Sequence, residues 1–573
     1  MIYRISAPLP QTRYLHIEAV KEITADQPIE FRVSSWRPGR YELGNFAKNI
    51  RGMKATGPNG EELPLHKVEK DCWRIDLAPA GRITLTYEYY AAQPDAGACW
   101  LDADLMYVNP VHCLVFDPAC PDSRYEAVLD IPHDWQIACG LPVENHRLVA
   151  NDLDSLLDSP FFAARELHHR TYSVNDINFH IWFYGHVSLN WERILKDFKA
   201  FTQVQLAMMK YFPVPDYHFL ILVLPYRFYH GVEHTNSTVL ALGPGYQLMQ
   251  PDLYTDLMGV ASHELFHVWN VKTLRPKDFL QYNYTRENYS RLGWVYEGIT
   301  TYYGDLFLAR GGFFNTSGFF AEINQRLQRH FDNFGKVYSS VSESSFDTWL
   351  DGYVPGTPWR KTSIYDEGCL IALMLDLYIR RSSRGKYSLD DLFVQLYHDF
   401  ALRKQGYREQ DIMRLAISLS DQGVVEIFEQ IIHHRADYSS KLHELLPVVG
   451  CWISMKPSAA KHESWFGFRT ISESGTLKVL SVAPGSPAEK AGVSKDDEII
   501  ACNDWKVEGN LGDLISTRSD GKIVLSMFSQ KKVKQIEMQK SEKRYFDTVS
   551  ILKIEDADPA AREAFSAWSG LAW

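Results

Sequence analysis

Two histidines four residues apart bracket a glutamate in the string His263-Glu264-Leu265-Phe266-His267. The surrounding run, residues 252–273, has the apolar spacing of a helix. On a helix, residues four apart share a face, with Cβ atoms about 5–6 Å apart. Two imidazoles so placed can take two corners of a tetrahedral zinc site. Glu264 cannot bind the same ion from its own angle, but it can reach a water on the ion's open side and accept its proton. With 20 histidines in 573 residues, chance yields such a string about 0.04 times. The bland alternative is a pair of packed histidines on an amphipathic helix.

A catalytic zinc site needs a third protein ligand and an open position. Glu297 is the favoured candidate, thirty residues after His267 in Trp294-Val-Tyr-Glu-Gly-Ile-Thr-Thr-Tyr-Tyr303. A carboxylate set among Trp294, Val295, Ile299 and Tyr302 is costly to bury without a cation or a donor. Glu287, in a polar and loop-like setting, is the rival. Asn270, Thr301 and Asp305 are the candidates to orient the histidines from behind, and the sequence does not choose among them.

The helix motif followed by Trp294-x-x-Glu297-Gly298 resembles the gluzincin metallopeptidases. The longer string His263-Glu-Leu-Phe-His-Val-Trp-Asn-Val-Lys272, with Arg275-Pro276, is similar more narrowly to the glycyl aminopeptidase family, relatives of aminopeptidase N with an appended PDZ domain. The resemblance covers nearly the whole chain in the right order. The distance from His267 to Glu297 exceeds that in aminopeptidase N and fits an insertion found in the glycyl aminopeptidases. The resemblance implies a thermolysin-like catalytic domain with one zinc ion per chain, and a preference for small N-terminal residues such as Gly or Ala. It also implies roles for further residues. Gly231-Val232-Glu233-His234 resembles the exopeptidase motif whose glutamate binds the substrate's α-amine, with His234 standing where aminopeptidase N has asparagine. Tyr365, in Ser363-Ile-Tyr-Asp-Glu-Gly368, resembles the tyrosine that donates to the tetrahedral oxyanion. In Trp465-Phe466-Gly467-Phe468, residues Phe466, Gly467 and Phe468 resemble the PDZ loop whose backbone N–H groups cradle a terminal carboxylate, and such domains add a peptide strand to a sheet edge.

The elements that must position these residues fall into an expected multidomain α+β chain. Residues 1–175 read as a β-sandwich-like domain, with two-residue alternation at 14–20 and 83–89 and turns at Pro38-Gly39 and Pro58-Asn59-Gly60. Residues 176–454 open with a strand at 217–225 and continue as helical segments at 252–273, 288–310, 319–331, 364–381 and 389–400, a mainly helical catalytic domain. Residues 455–545 return to strands and carry the PDZ resemblance. Residues 546–573 form a tail with an amphipathic stretch around 560–568.

Composition narrows the function classes. The chain has 60 Lys plus Arg against 71 Asp plus Glu, a net charge of −11, which disfavours broad binding to phosphate backbones. No apolar run approaches a membrane span. Eight cysteines without a Cys-x-x-Cys pair argue against a disulfide scaffold or a thiolate zinc site. No Gly-x-Ser-x-Gly nucleophile elbow is present. The N-terminus lacks a signal-peptide core, so the expected location is cytoplasmic, or periplasmic if a leader was removed. The reading is a zinc aminopeptidase acting on peptides with a free N-terminus, with a second peptide or protein C-terminus at the PDZ region as a possible partner. A zinc endopeptidase fed by that region, and an inert peptide-binding scaffold, are the alternatives.

Overall fold

The computed structural model describes residues 1–121, 123–351, 357–473 and 475–573. Alternation builds its first part. In the strand Tyr14–Ile23, Leu15, Ile17 and Ala19 are buried while His16 and Glu22 are exposed. This strand lies inside an eight-stranded sheet between Ile2–Ser6 and Gly81–Tyr90. A three-stranded sheet formed by Gln27–Arg32, Cys72–Ala78 and His66–Glu69 supplies Ile29, Phe31 and Ile75 to the same core, so two layers close over one apolar interior. A four-stranded sheet containing Leu105–Val108 and Phe161–Ala164 packs Leu105, Tyr107 and Phe162 onto Leu220, Leu222 and Val239 of the next domain.

That next domain is built on five strands in the order His168–Val174, Ile177–Tyr184, Asp216–Val223, Ser237–Gly243, Phe228–Glu233. The last is antiparallel to its neighbour and ends the sheet. The boundary expected at 175 falls inside a hairpin. Asn175 and Asp176 both have positive φ and close a tight turn, and Tyr172 and Val174 belong to the core of the helical domain. A strong turn signal inside one sheet reads from sequence like a linker. Phe219, Ile221, Leu240 and Leu242 face the helices Trp191–Met209 and Pro251–Phe266, and the helices Thr300–Arg310, Thr316–Asp332 and Ile364–Ser382 complete the body.

Cys451–Lys456 pairs antiparallel with Thr548–Lys553. Between these two strands stands a separate β module, ordered Phe468–Glu473, Thr476–Val482, Glu498–Cys502, Lys522–Ser529, Lys532–Gln539, around Phe468, Val479, Ile499 and Leu525. The final stretch is not a loose tail. Its helix Pro559–Ser569 buries Phe565 and Trp568 in the core of the helical domain. The Trp568 indole donates to the Tyr302 hydroxyl at 2.8 Å, which donates to Asp376 at 2.6 Å. The module is tied to the helix Thr316–Asp332 by the Arg469 fork on Asp332, at 2.7 and 3.0 Å. Along the same helix, Gln328 and Asn324 bond backbone groups at 547, 549 and 551. Among the described residues no helix is long and apolar enough to cross a membrane.

Candidate metal centre and cleft

Pro251 opens the helix Pro251–Phe266 at its first turn, where a missing N–H costs nothing. The helix stops at Phe266 rather than running on to 273. Val271 then takes φ +89°, a conformation that costs a β-branched residue about 1–3 kcal/mol. The turn it makes sets the Asn270 carbonyl 3.0 Å from His267 Nδ1. With the ring proton donated there, Nε2 keeps a lone pair for a ligand. The Asn270 side-chain amide donates to the Val295 carbonyl and to Thr300 Oγ1, both at 2.9 Å, and so joins the motif to the segment bearing Glu297. Of the three orienting candidates, Asn270 is the one bonded to a motif histidine. Thr301 donates to the Glu297 backbone carbonyl at 2.9 Å, and Asp305 pairs with Arg326 at 3.6 Å.

Glu297 lies in the wide π-helical turn Trp294–Ile299, a local underwinding that re-aims side chains at functional positions. Gly298 follows it for a steric reason. A Cβ at Gly298 would stand 2.3 Å from the Gly368 Cα, and one at Gly368 would stand 2.6 Å from the Gly298 Cα. The two helices cross backbone against backbone, which puts Glu297 on one beside Tyr365 on the other. Tyr365 lines the cleft, its ring 6.4 Å from that of His263.

The two Nε2 atoms of His263 and His267 are 3.0 Å apart, and Glu297 Oε2 lies 3.7 and 3.4 Å from them. Tetrahedral bonds of about 2.05 Å separate ligand atoms by roughly 3.3 Å, so these three donors suit one ion of zinc's size. Glu287, the rival, is not part of the group. The charge around the donors agrees. Glu233, Glu264 and Glu297 are all buried, and among the described residues Glu233 Oε1 and Glu264 Oε2 have no hydrogen-bond partner. Carboxyl groups buried at this density are costly as anions unless protons or a cation offset their charge. Burial opposes a charged His267, yet Glu233, Glu297 and Glu264 hold it up at about 10. His263, where burial dominates, is held down at about 4. Burial pushes the Glu264 carboxyl up, with Glu233 and Glu297 adding to the effect and His267 opposing it. Burial also works against the Glu297 carboxylate, but the two imidazoles keep it below its ordinary range.

The ligand atoms open onto a cleft of about 390 Å³. The edge strand Phe228–Glu233 forms one wall. A Cβ at Gly231 would fall 2.3 Å from Glu264 Oε1, so the glycine is what lets this carboxylate lie against the strand. Glu233 meets a residue that sequence reasoning missed. Gly39, at φ +82° in the first domain, presses so close that a Cβ there would stand 2.4 Å from Glu233 Oε2. Its string, Pro38-Gly39, carries only a turn signal. The opposite wall holds Glu322 and Arg326 of the helix Thr316–Asp332. Burial, reinforced by Asp305, pushes the Glu322 carboxyl up to about 7.

His234 corrects an expectation, because it does not line the cleft. Its ring turns away, and Nδ1 bonds Asp158 Oδ1 at 3.0 Å. The same carboxylate accepts from Lys272 Nζ at 2.8 Å, the Thr235 amide at 2.9 Å and the Thr235 hydroxyl at 2.7 Å. Asp158 of the first domain thus clamps both the chain leaving Glu233 and the chain leaving His267. Lys272 stood in the quoted motif without a role, and Asp158 had no local signal. In the C-terminal module, Phe466 and Phe468 are core residues. The Gly467 amide donates to the Glu463 carbonyl at 3.1 Å, so that N–H is already committed.

Comparison with known proteins gives two family matches, the Peptidase M61 N-terminal domain over residues 2–165 and the M61 glycyl aminopeptidase over residues 256–371. The chain is similar to a crystal structure of an aminopeptidase N family protein from Idiomarina loihiensis, at 25% identity and a TM-score of 0.90, covering 99% of each chain. It is also similar, at 12% identity and a TM-score of 0.47, to an M1 zinc metallopeptidase variant from Deinococcus radiodurans bound to a Tyr-Ser-Ala substrate. That match covers 76% of this chain and 94% of the other, and it is too distant to inform the site. No curated protein matches the chain.

Proposed function

From the premise that this chain belongs to the M61 glycyl aminopeptidase family, metallopeptidases of the aminopeptidase type, we propose that it removes single residues from peptide N-termini at one zinc ion held by His263, His267 and Glu297. The observation that carries the reading is the spacing of those three donors beside two further buried carboxylates, Glu264 and Glu233. Zinc would supply a Lewis acid there, polarising the scissile carbonyl and acidifying water.

The chain's own groups divide the remaining work. Glu264 accepts a proton from the attacking water at its carboxylate and returns it to the departing amide nitrogen. Its burial supports that role, since a carboxylate short of hydrogen-bond partners is a stronger base. Glu233 holds the substrate's ammonium, which restricts attack to the first peptide bond. The Tyr365 hydroxyl donates to the carbonyl oxygen as negative charge grows on it. The open edge of Phe228–Glu233 aligns the substrate backbone as an added strand. The family's name and the tight approach of Gly39 to Glu233 support a preference for Gly or Ala at the N-terminus. For the C-terminal module we infer a bracing role, because the Arg469 fork is engaged on the catalytic body and the Gly467 amide is already donated.

Two measurements test this. Glu264→Gln should lower kcat on glycyl and alanyl peptides by about 10²–10⁴-fold while zinc content stays the same. N-acetylation should abolish cleavage of the same peptides. Unchanged hydrolysis in either case refutes the mechanism.

A further inference from the structure

On the face of the five-stranded sheet opposite the catalytic helix lies a second set of metal donors. His180 of Ile177–Tyr184 stands directly beside His218 of Asp216–Val223 in parallel register, and Asp216 lies two positions before His218 on the same side. His218 shares its face with Leu220 and Leu222, which meet the first domain, whereas Phe219 and Ile221 face the catalytic core. One donor atom from each of His180, Asp216 and His218 lies within 4.8 Å of the other two. We propose that these three residues bind a second divalent ion of the zinc class, separate from the catalytic one.

The surroundings prepare two of the donors. His169 Nε2 lies 3.0 Å from His180 Nδ1, and the Thr171 hydroxyl is 3.3 Å from the same atom. With the proton of the His169 contact on His180 Nδ1, its Nε2 is left for a metal, as with an orienting partner behind a ligating histidine. His218 Nε2 points to Asp216 Oδ1 at 3.7 Å, so an ion between them would replace a contact too long for a hydrogen bond. Asp216 is 42% exposed at its side chain and His218 11%, which gives the ion a route from solvent and leaves room for water at the remaining corners. Two imidazoles and one carboxylate favour zinc, nickel or copper over magnesium or calcium, which prefer oxygen ligands throughout.

One neighbour makes the assignment specific. The Trp182 indole donates to His218 Nδ1 at 3.2 Å, so a neutral His218 carries its proton on Nε2. Coordination through Nε2 moves that proton to Nδ1, where it faces the indole N–H. Trp182 must then swing away, and its N–H opposes binding. This gives a readout that simple packing of a ring stack would not move. Replacing Trp182 by Phe should tighten the ion.

The experiment uses the full chain with His263→Ala and His267→Ala, which removes two proposed catalytic ligands. After treatment with chelator it is dialysed against Zn²⁺ and the bound metal is counted. One retained equivalent per chain is expected, falling to none when His180→Ala and His218→Ala are added. A Trp182→Phe change in the first background should lower the Zn²⁺ dissociation constant several-fold. Retention of the ion by the four-fold variant, absence of any ion from the two-fold variant, or unchanged or weaker binding after Trp182→Phe overturns the proposal. The Trp182 arm removes no ligand, so it stands even if the four-fold variant fails to fold.

Discussion

Gly231 and Gly39 owe their identity to carboxylates that occupy the space of a side chain. Gly231→Ala should displace Glu264 and lower kcat by about 10–100-fold, since misplacing a reacting group by an ångström costs that order. Bound zinc, counted per chain, should not change. Gly39→Ala meets Glu233 instead, and its positive φ adds strain. It should raise KM for free peptides more than it lowers kcat. Asp158 gives a pH prediction. Burial alone would raise its pKa, but Lys272 and His234 outweigh burial and depress it. A depressed carboxylate contributes stability above its unfolded value of about 3.9, and this is lost as pH falls below it. His234 is lowered too, chiefly by burial, so the unfolded chain takes up its proton first, from about pH 6.5 downward. Both groups make acid destabilising, in two successive windows, which melting curves from pH 7 to pH 3 should resolve. Asp158→Asn strands Lys272 in the interior and should cost about 3–5 kcal/mol at pH 7, with a shallower decline below pH 4.

At the scale of elements, the crossing at Gly298 and Gly368 is the most demanding feature. Gly298→Ala pushes two backbones apart and should cost about 1–3 kcal/mol. Because it also moves Glu297 relative to Tyr365, zinc affinity and kcat should fall together, as dialysis and steady-state rates would report. Much of this layer could be read in advance. The helices expected at 319–331, 364–381 and 389–400 correspond to Thr316–Asp332, Ile364–Ser382 and Leu389–Asp399, since long apolar periodicity is a robust signal. The break after Phe266 could not be read, because Val271 holds a backbone conformation that its own type disfavours. Tertiary bonds through Asn270 impose it. The strands Phe228–Glu233 and Ser237–Gly243 were also missed, as both are short and one is buried on both faces. Within the candidate site, His263, His267 and Glu297 share a local motif or a marked apolar setting. Gly39 and Asp158 reach the site from more than 70 positions away in sequence and have no such mark.

Across the whole molecule, the cleft depends on pieces from distant parts of the chain. Trp568 is wholly buried and bonded to Tyr302, which lies on the helix that continues from Glu297. Trp568→Ala should cost about 3–5 kcal/mol and lower the melting temperature of the catalytic domain, although the residue belongs to the last helix. The helix Thr316–Asp332 has a related position. Glu322 and Arg326 on it face the cleft, while Gln328 and Asp332 on it are gripped by the C-terminal strand and by Arg469. It joins the β module to one wall of the cleft. The cleft wall that carries Glu322 and Arg326 therefore shares one rigid helix with the anchor of a module folded from residues more than a hundred positions later.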